Sequence, residues 1–476
     1  MPPALGRAFL DDAVAGRPLS EPPWATPADV EAAIAAAFAA RRAVGAATRE
    51  RRIAVLRDVA DGLMRDADAF AALIAREVAK PIDAARGEVA RAATTMRDAA
   101  AVAATDEGRL VPLDTVPGGA GREALVRRVP IGVVAAITPF NFPLNLVAHK
   151  VAPALATGCP VILKPAPAAA RTACAFGTLV DAAVASHGLP RETFSCVAIP
   201  ESGDPTPLVE DPRIRGLTFT GSEAVGWALR DRAAGKAVAL ELGGDAFAIV
   251  APDAPLRHAA ERIAFGAFAY AGQVCISVQH VLVHASVLDA FLEVFREIVT
   301  ESVVGDPMRA GVLAGPLLRD RDADRVEAWV REALDRGARI EAVGRIDASE
   351  APAGAGWRRG RWIAPLALRD VPADTRLHGS EVFGPVVDVA AWSTIDDIER
   401  RFDASRFGLQ AGVFTQDLAL VRRLFATLDV GGLVVGDVPT LRLDPMPYGG
   451  MKRSGLGREG ARDAFDWYTE PKTLLW

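Results

Sequence analysis

Between residues 132 and 250 the chain alternates short apolar runs with helical stretches, and this rhythm limits the folds open to it more than any other feature. The runs GVVAAIT (132–138), PVILK (160–164), FSCVAI (194–199) and LTFT (217–220) read as buried strands. Helical stretches at 168–187 and 222–234 stand between them. Strands joined by helical crossovers run parallel, so this half of the chain predicts a parallel sheet. A second series has strands near 246–250 and 280–284 and helices at 255–271 and 286–303, which gives two α/β domains. From Pro27 to Thr105 apolar residues recur at three- and four-residue spacings, as in Ile53, Leu56, Val59 and Leu63, predicting an N-terminal helical layer. Alternation over 111–129 suggests an exposed hairpin, and 351–360 reads as a flexible surface loop. The tail FDWYTEPKTLLW has β-type composition and ends in the apolar Trp476, which suggests contact with a partner subunit.

A chain of 476 residues, 50% hydrophobic and 24% charged, can bury the core of two or three domains. The net charge of −6 and the scattered arginines give no field for nucleic acid. The start has no cationic region leading into an apolar core, and no apolar run reaches the roughly 20 residues of a membrane span. A cytoplasmic protein without membrane contact is expected. Cys159, Cys174, Cys196 and Cys275 show neither CxxC spacing nor a nearby histidine pair, so no metal site and no disulfide is expected.

Five segments carry candidate chemistry. In YAGQVCIS, Cys275 lies 34 residues after Glu241 of ELGG, a pairing that suits a nucleophile and its base. A thiol attacks as thiolate, which a helix start or a bound cation favours; the alternative is a buried cysteine acting as a small hydrophobe. FTGSEAVG (219–226) places Gly221 and Ser222 in a turn between strand and helix, either a pyrophosphate site or simply a turn. Asn141 in TPFNFPLNL, pinned between Pro139 and Pro143, is an oxyanion-hole donor or satisfies its own loop. Lys164 emerges at the carboxyl end of a strand, where parallel sheets bind ligands, unless it is merely solvated. EVFGPV offers Glu381 as a hydroxyl-binding acid beside the ring of Phe383.

TPFNFP, the strand ending in Lys164, FTGS, ELGG, GQVCIS, EVFGPV and PYGGMKRSGLGREG (447–460), in this order, resemble the aldehyde dehydrogenase superfamily over essentially the whole chain. HKVAPALATG, GQVCIS and DVPTLRLDPMPYGG look most like its lactaldehyde-dehydrogenase-like branch. The resemblance implies two Rossmann-like α/β domains and a small β oligomerisation element. It divides the chain into an NAD(P)-binding domain (1–108 and 131–242), a catalytic domain (243–455) and the oligomerisation element (109–130 and 456–476) of a homodimer or homotetramer. By the same resemblance Cys275 attacks a small or hydroxylated aldehyde, Asn141 holds the oxyanion, and Glu241 activates the water that hydrolyses the thioester. Lys164 and Glu381 are similar to ribose contacts of NAD or NADP, Gly221 and Ser222 to the pyrophosphate turn, and Phe383 to a wall beside the nicotinamide. Gly243 and Gly244 let the backbone approach that ring.

Three departures from the family pattern matter. Pro167 stands where many NAD-preferring relatives carry a glutamate, which opens the choice of cofactor. Phe140 replaces a common tryptophan, and Val274 stands where relatives acting on phosphorylated aldehydes have arginine. The alternatives are a CoA-acylating semialdehyde dehydrogenase, which would not need Glu241, and a non-catalytic family member, which would not need Cys275, Asn141 and Glu241 together. A thiol hydrolase would need a histidine beside the thiol, and His280 reads as part of the following strand. Arg442 in the DVPTLRLD loop reads either as a substrate-facing cation or as half of a surface ion pair.

Overall fold

The computed structural model describes residues 3–347, 349, 351–353 and 356–476. Its first sheet has the order Gly455–Leu456, Ala237–Glu241, Ile214–Thr220, Val133–Ile137, Val161–Lys164, Phe194–Cys196. All neighbours run parallel except the first pair. Every residue of Val133–Ile137 is buried, as a strand covered by helices on both faces requires. The chain leaves this strand on one side, through Val161–Lys164 to Phe194–Cys196, and returns on the other through Ile214–Thr220. The order therefore reverses between Val133–Ile137 and Ile214–Thr220, and a crevice opens beyond the carboxyl ends of these two strands. TPFN leaves one lip of the crevice and TGS the other.

The second sheet has seven strands in the order Arg339–Val343, Leu366–Arg369, Val386–Trp392, His280–His284, Phe247–Val250, Gln410–Phe414, Gly432–Val435. Only its first pair is antiparallel. This sheet turns the entries of its strands toward the crevice. Gly243 and Gly244 precede Phe247, Cys275 precedes His280, and Glu381 precedes Val386.

The N-terminal layer consists of helices Pro27–Ala46, Arg49–Arg65, Ala67–Val78 and Ile82–Thr105, preceded by Pro3–Val14. It packs on helix Asn145–Thr157, in which every residue is buried. The hairpin is present as Arg109–Pro112 against Glu123–Pro130, and the tail Thr469–Leu475 adds a third antiparallel strand. Leu474, Leu475 and Trp476 are exposed on that outer strand.

Four expectations need correction. The strand over 194–199 stops at Cys196. The stretch Pro167–Ser186 is, by length and composition, apolar enough to span a membrane, but it is a core helix, mostly buried against the sheet and the N-terminal layer. In 351–360, Gly354 and Ala355 lie outside the described residues, while Arg358–Arg359 pairs with Trp362–Ile363 rather than looping freely. The helix over 255–271 ends at Phe268, because Tyr270, Ala271 and Gly272 adopt left-handed φ angles of 53°, 55° and 69°.

That left-handed turn is set by contacts at both ends. The Tyr270 hydroxyl donates to Val78 O at 3.0 Å, and a Cβ on Gly272 would stand 2.2 Å from Gly384 O. Gly272→Ala should therefore cost about 1–2 kcal/mol from the left-handed backbone alone and more from the clash. Urea unfolding would read this as a lower midpoint at unchanged slope; an unchanged midpoint would mean the turn relaxes freely.

Candidate active site

Cys275 follows the left-handed turn and is half-buried. The loop is held by Ser277 N donating to Val274 O (2.9 Å) and Val278 N to Gly266 O (3.2 Å). Its sulfur lies 3.2 Å from the Tyr448 hydroxyl. Burial pushes the thiol up to about 12, against the pull of Tyr448 and Arg442. The expected helix start is not there. The nearby cation is Arg442, whose guanidinium stacks 3.8 Å over the Tyr448 ring. Arg442 is buried, which corrects the surface ion-pair reading; it donates to Glu459 at 3.2 Å, while its Nε has no partner.

Asn141 donates through Nδ2 to Gln273 O at 3.0 Å, two residues before Cys275. A carboxamide carries two N–H groups, so one remains for another acceptor. Glu241 ends strand Ala237–Glu241, and its Oε2 is buried without a partner. Gly449 lies so close that a Cβ there would stand 2.9 Å from Glu241 Oε1. Burial, and then the neighbouring Glu459, pushes the Glu241 carboxyl well above the usual range. Burial acts on Glu459 in the same direction, but Lys150 at 2.9 Å and Arg442 outweigh it and keep that carboxyl ionised. Two carboxyls in one pocket are thus pushed apart in acidity, as acid–base sites require.

Toward the crevice, burial raises Glu381 to about 8 although Gly244 N donates to it at 3.3 Å. Gly243 makes room for this carboxyl, since a Cβ there would stand 2.2 Å from Glu381 Oε2. The close approach that Gly243 permits is therefore to Glu381. Lys164 is half-buried; burial lowers its pKa and Glu201 opposes this. Ser222 precedes helix Glu223–Arg232 without capping it, so its hydroxyl and the first N–H groups of the helix are uncommitted. Thr138 and Thr220, on the two lips, bury hydroxyls that lack partners. Phe383 has φ 48°, a strained value for an aromatic residue, and meets Phe140 edge-on with ring centroids 6.1 Å apart. Unspent donors beside a helix N-terminus, with an acceptor across the crevice, fit the phosphates and ribose hydroxyls of a dinucleotide.

The sequence reading missed Tyr448, Gln273, Lys150 and Glu459. Lys150 carried a usable signal, a charge that with His149 interrupts the apolar run of VAHKVAPALA. His280, His378 and Asp388 also come within 4.8 Å of one another, but the Arg401 guanidinium, 3.0 Å from Asp388, already supplies a cation to that group.

A doubly wound sheet whose crevice faces a half-buried thiol defines a dinucleotide-dependent oxidoreductase. The family model described as "Aldehyde dehydrogenase family" matches residues 10–474, and the chain belongs to this family. It is 40% identical over 459 residues to a 3-sulfolactaldehyde dehydrogenase of Priestia aryabhattai, covering 96% of this chain and 92% of that protein. Among solved structures, it is similar to aldehyde dehydrogenase 21 of Physcomitrella patens in complex with the reaction product succinate (TM-score 0.89, 36% identity, 95% and 91% of the chains). It is also similar to the glyceraldehyde-3-phosphate dehydrogenase GapN of Methanocaldococcus jannaschii complexed with NADP (TM-score 0.88, 31% identity, 95% of each chain). The protein is an NAD(P)-dependent enzyme that oxidises small aldehydes to acids.

A thiol held near 12 is almost wholly protonated at neutral pH. Alkylation of Cys275 by iodoacetamide in the free enzyme should therefore be slow at pH 7 and rise about tenfold per pH unit to at least pH 9. A rate that levels off below pH 8 would show that Arg442 and Tyr448 dominate burial.

Proposed function

We propose that Cys275 is the nucleophile, Asn141 the oxyanion donor and Glu241 the base of a hydrolytic aldehyde oxidation. The convergence of the Cys275 thiol, the Asn141 amide anchored on Gln273 and the unpartnered Glu241 carboxyl carries this reading. Sγ bonds to the aldehyde carbon as the thiol proton leaves toward solvent, giving a thiohemiacetal. Its oxyanion is met by the second Asn141 N–H and the Cys275 backbone N–H. A nicotinamide held in the crevice would supply the hydride acceptor for that carbon. The acyl group then remains on Sγ as a thioester. Once ionised, Glu241 takes a proton from water; the hydroxide oxygen adds to the acyl carbon, the C–S bond breaks and the acid leaves. A buried carboxyl at this point suits water rather than CoA as acyl acceptor. Burial favours its neutral form, so hydration of the pocket favours the ionised form that acts as base.

Lys164 and Glu381 would hold the ribose hydroxyls, Gly221 and Ser222 the pyrophosphate, and Phe383 the face of the nicotinamide, with Gly243 leaving room for Glu381. Pro167 opens a short turn and brings no carboxylate to repel a 2′-phosphate, so either cofactor is accepted. In this scheme 1–108 and 131–242 bind the dinucleotide and 243–455 carry the thiol. Residues 109–130 and 456–476 would join subunits into a homodimer or homotetramer, a role supported by the exposed Leu474 and Trp476. Four unbridged cysteines favour the cytoplasm.

The substrate in this proposal carries an anionic group. Arg442 is buried with an unpartnered Nε and rests on the ring that touches the nucleophile, and among the described residues its one ion pair is with Glu459. A sulfonate or carboxylate two or three carbons from the aldehyde would complete it, in keeping with the names of the relatives.

Glu241→Gln should give one burst of reduced cofactor per active site and then stall, while Cys275→Ala gives no burst. Stopped-flow absorbance separates the two, and steady turnover by the Gln variant would remove Glu241 from hydrolysis. Arg442→Gln should raise KM for carboxylated or sulfonated aldehydes by roughly 10–100-fold, the worth of one charged hydrogen bond, and leave KM for neutral aldehydes of equal length unchanged. Equal losses for both kinds would mean that Arg442 only supports Tyr448.

A further inference from the structure

Away from the thiol site, a cavity of about 520 Å³ lies between the inner face of the three-stranded sheet and the N-terminal helices. None of the catalytic or cofactor candidates lines it. Five cations (Arg49, Arg52, Arg127, Arg128 and Lys472) border it against one carboxylate, Asp106. Two of the five are committed. Arg49 pairs with Asp106 at 2.8 Å, and Arg128 is bound to Thr469 at 2.6 Å and to backbone carbonyls at the end of helix Ala461–Trp467. Arg127 and Lys472 have no ion pair among the described residues, and the half-buried Arg52 has an Nε without a partner.

Two features show that these charges are not balanced within the chain. Arg127 lies directly opposite Lys472 in the antiparallel register, a like-charge pair that destabilises a sheet unless something between them carries negative charge. The carboxyl ends of three helices, Pro27–Ala46, Ile82–Thr105 and Asn145–Thr157, also reach the cavity through Gly45, Ala103 and Thr157. Each contributes about half a negative charge; with Arg49 paired to Asp106 and Arg128 to Asp466, the three ends offset only about half of the three remaining cations. Burial and repulsion from Arg49 lower the pKa of Arg52, as expected where cations crowd. Beside the charges, Leu125, Val129 and Phe465 give the cavity an apolar wall, and its volume lies within the range of small-molecule sites.

We infer that this cavity is a second ligand site, which takes a small phosphate-bearing anion between Arg52, Arg127 and Lys472. The phosphoryl oxygens accept from the two guanidinium groups and from the ammonium, which relieves the cross-strand repulsion and ties the three-stranded sheet to the helical layer. An organic body attached to the phosphate rests on Leu125 and Phe465.

Isothermal titration calorimetry of the full-length protein tests this at constant ionic strength, with NADP saturating so that the cofactor's own phosphate contacts are filled. Pyrophosphate is expected to bind in one saturable step. Arg127→Gln and Arg52→Gln should each weaken it about tenfold or more, and Arg127→Lys, which keeps the charge, should weaken it less. Tighter binding of AMP or a sugar phosphate than of inorganic phosphate identifies an organic ligand, and equal binding identifies free phosphate. Without anion, Lys472→Gln should raise the melting temperature; with pyrophosphate that gain should disappear. Absence of saturable heat up to 10 mM (about a hundredfold above a typical metabolite-range Kd), or undiminished affinity in both glutamine variants, overturns the site.

Discussion

Glu88 is a buried carboxylate, and it joins three parts of the molecule. One oxygen accepts from Leu144 N (2.8 Å) and Asn145 N (3.0 Å), which caps the start of helix Asn145–Thr157 from a neighbouring helix. The other meets the ammonium of Lys80, which is as deeply buried. Lys80 Nζ in turn sits 3.6 Å over the ring of Phe142 and 4.8 Å over that of Tyr270. The helix start fixes the turn that carries Asn141, and Tyr270 fixes the turn that leads to Cys275. Removing either partner would leave a charge stranded in the core, which costs about 3–5 kcal/mol. Asn141 and Cys275 are thus referenced to one ion pair that touches neither of them.

Around the thiol, electrostatics follow from how the charges are distributed over the pocket wall. Lys150 and Arg442 both stand beside Glu459, so that carboxyl is ionised and neutralised locally. Glu241 and Cys275 receive only the remainder of this positive field, and burial outweighs it for both. Burial therefore favours the neutral forms of Glu241 and Cys275, and their reactivity depends on what enters. A carbonyl that offers Asn141 an acceptor, or water that hydrates Glu241, changes the balance by supplying polarity the protein lacks.

Four of the six strands of the first sheet could be read from the sequence because they appear as short apolar runs; Ala237–Glu241, half-buried over its first three residues, and the two-residue Gly455–Leu456 could not. The later strands of the second sheet could not. Leu366–Arg369 is four residues long, and Val386–Trp392 contains the buried Asp388, so neither has a clean pattern. The turn at Tyr270, Ala271 and Gly272 was hidden for another reason: tyrosine and alanine seldom adopt left-handed φ, and only the fixed hydroxyl of Tyr270 and the nearby Gly384 carbonyl require it here. Cys275, Asn141 and Glu241 stood out through motif order. Tyr448 and Glu459 did not, because their meaning lies in contacts with residues 173 and 309 positions away in the chain.

Gln279 lies four residues beyond Cys275 and is fully buried. Its amide donates to Leu377 O (3.0 Å) and Ser380 O (2.8 Å), while its carbonyl accepts from Val382 N (2.9 Å). These three bonds strap the segment bearing Glu381 to the strand that follows the thiol. The Glu381 segment and the strand that follows Cys275 are consequently coupled, so a displacement of one is passed to the other through a single glutamine side chain.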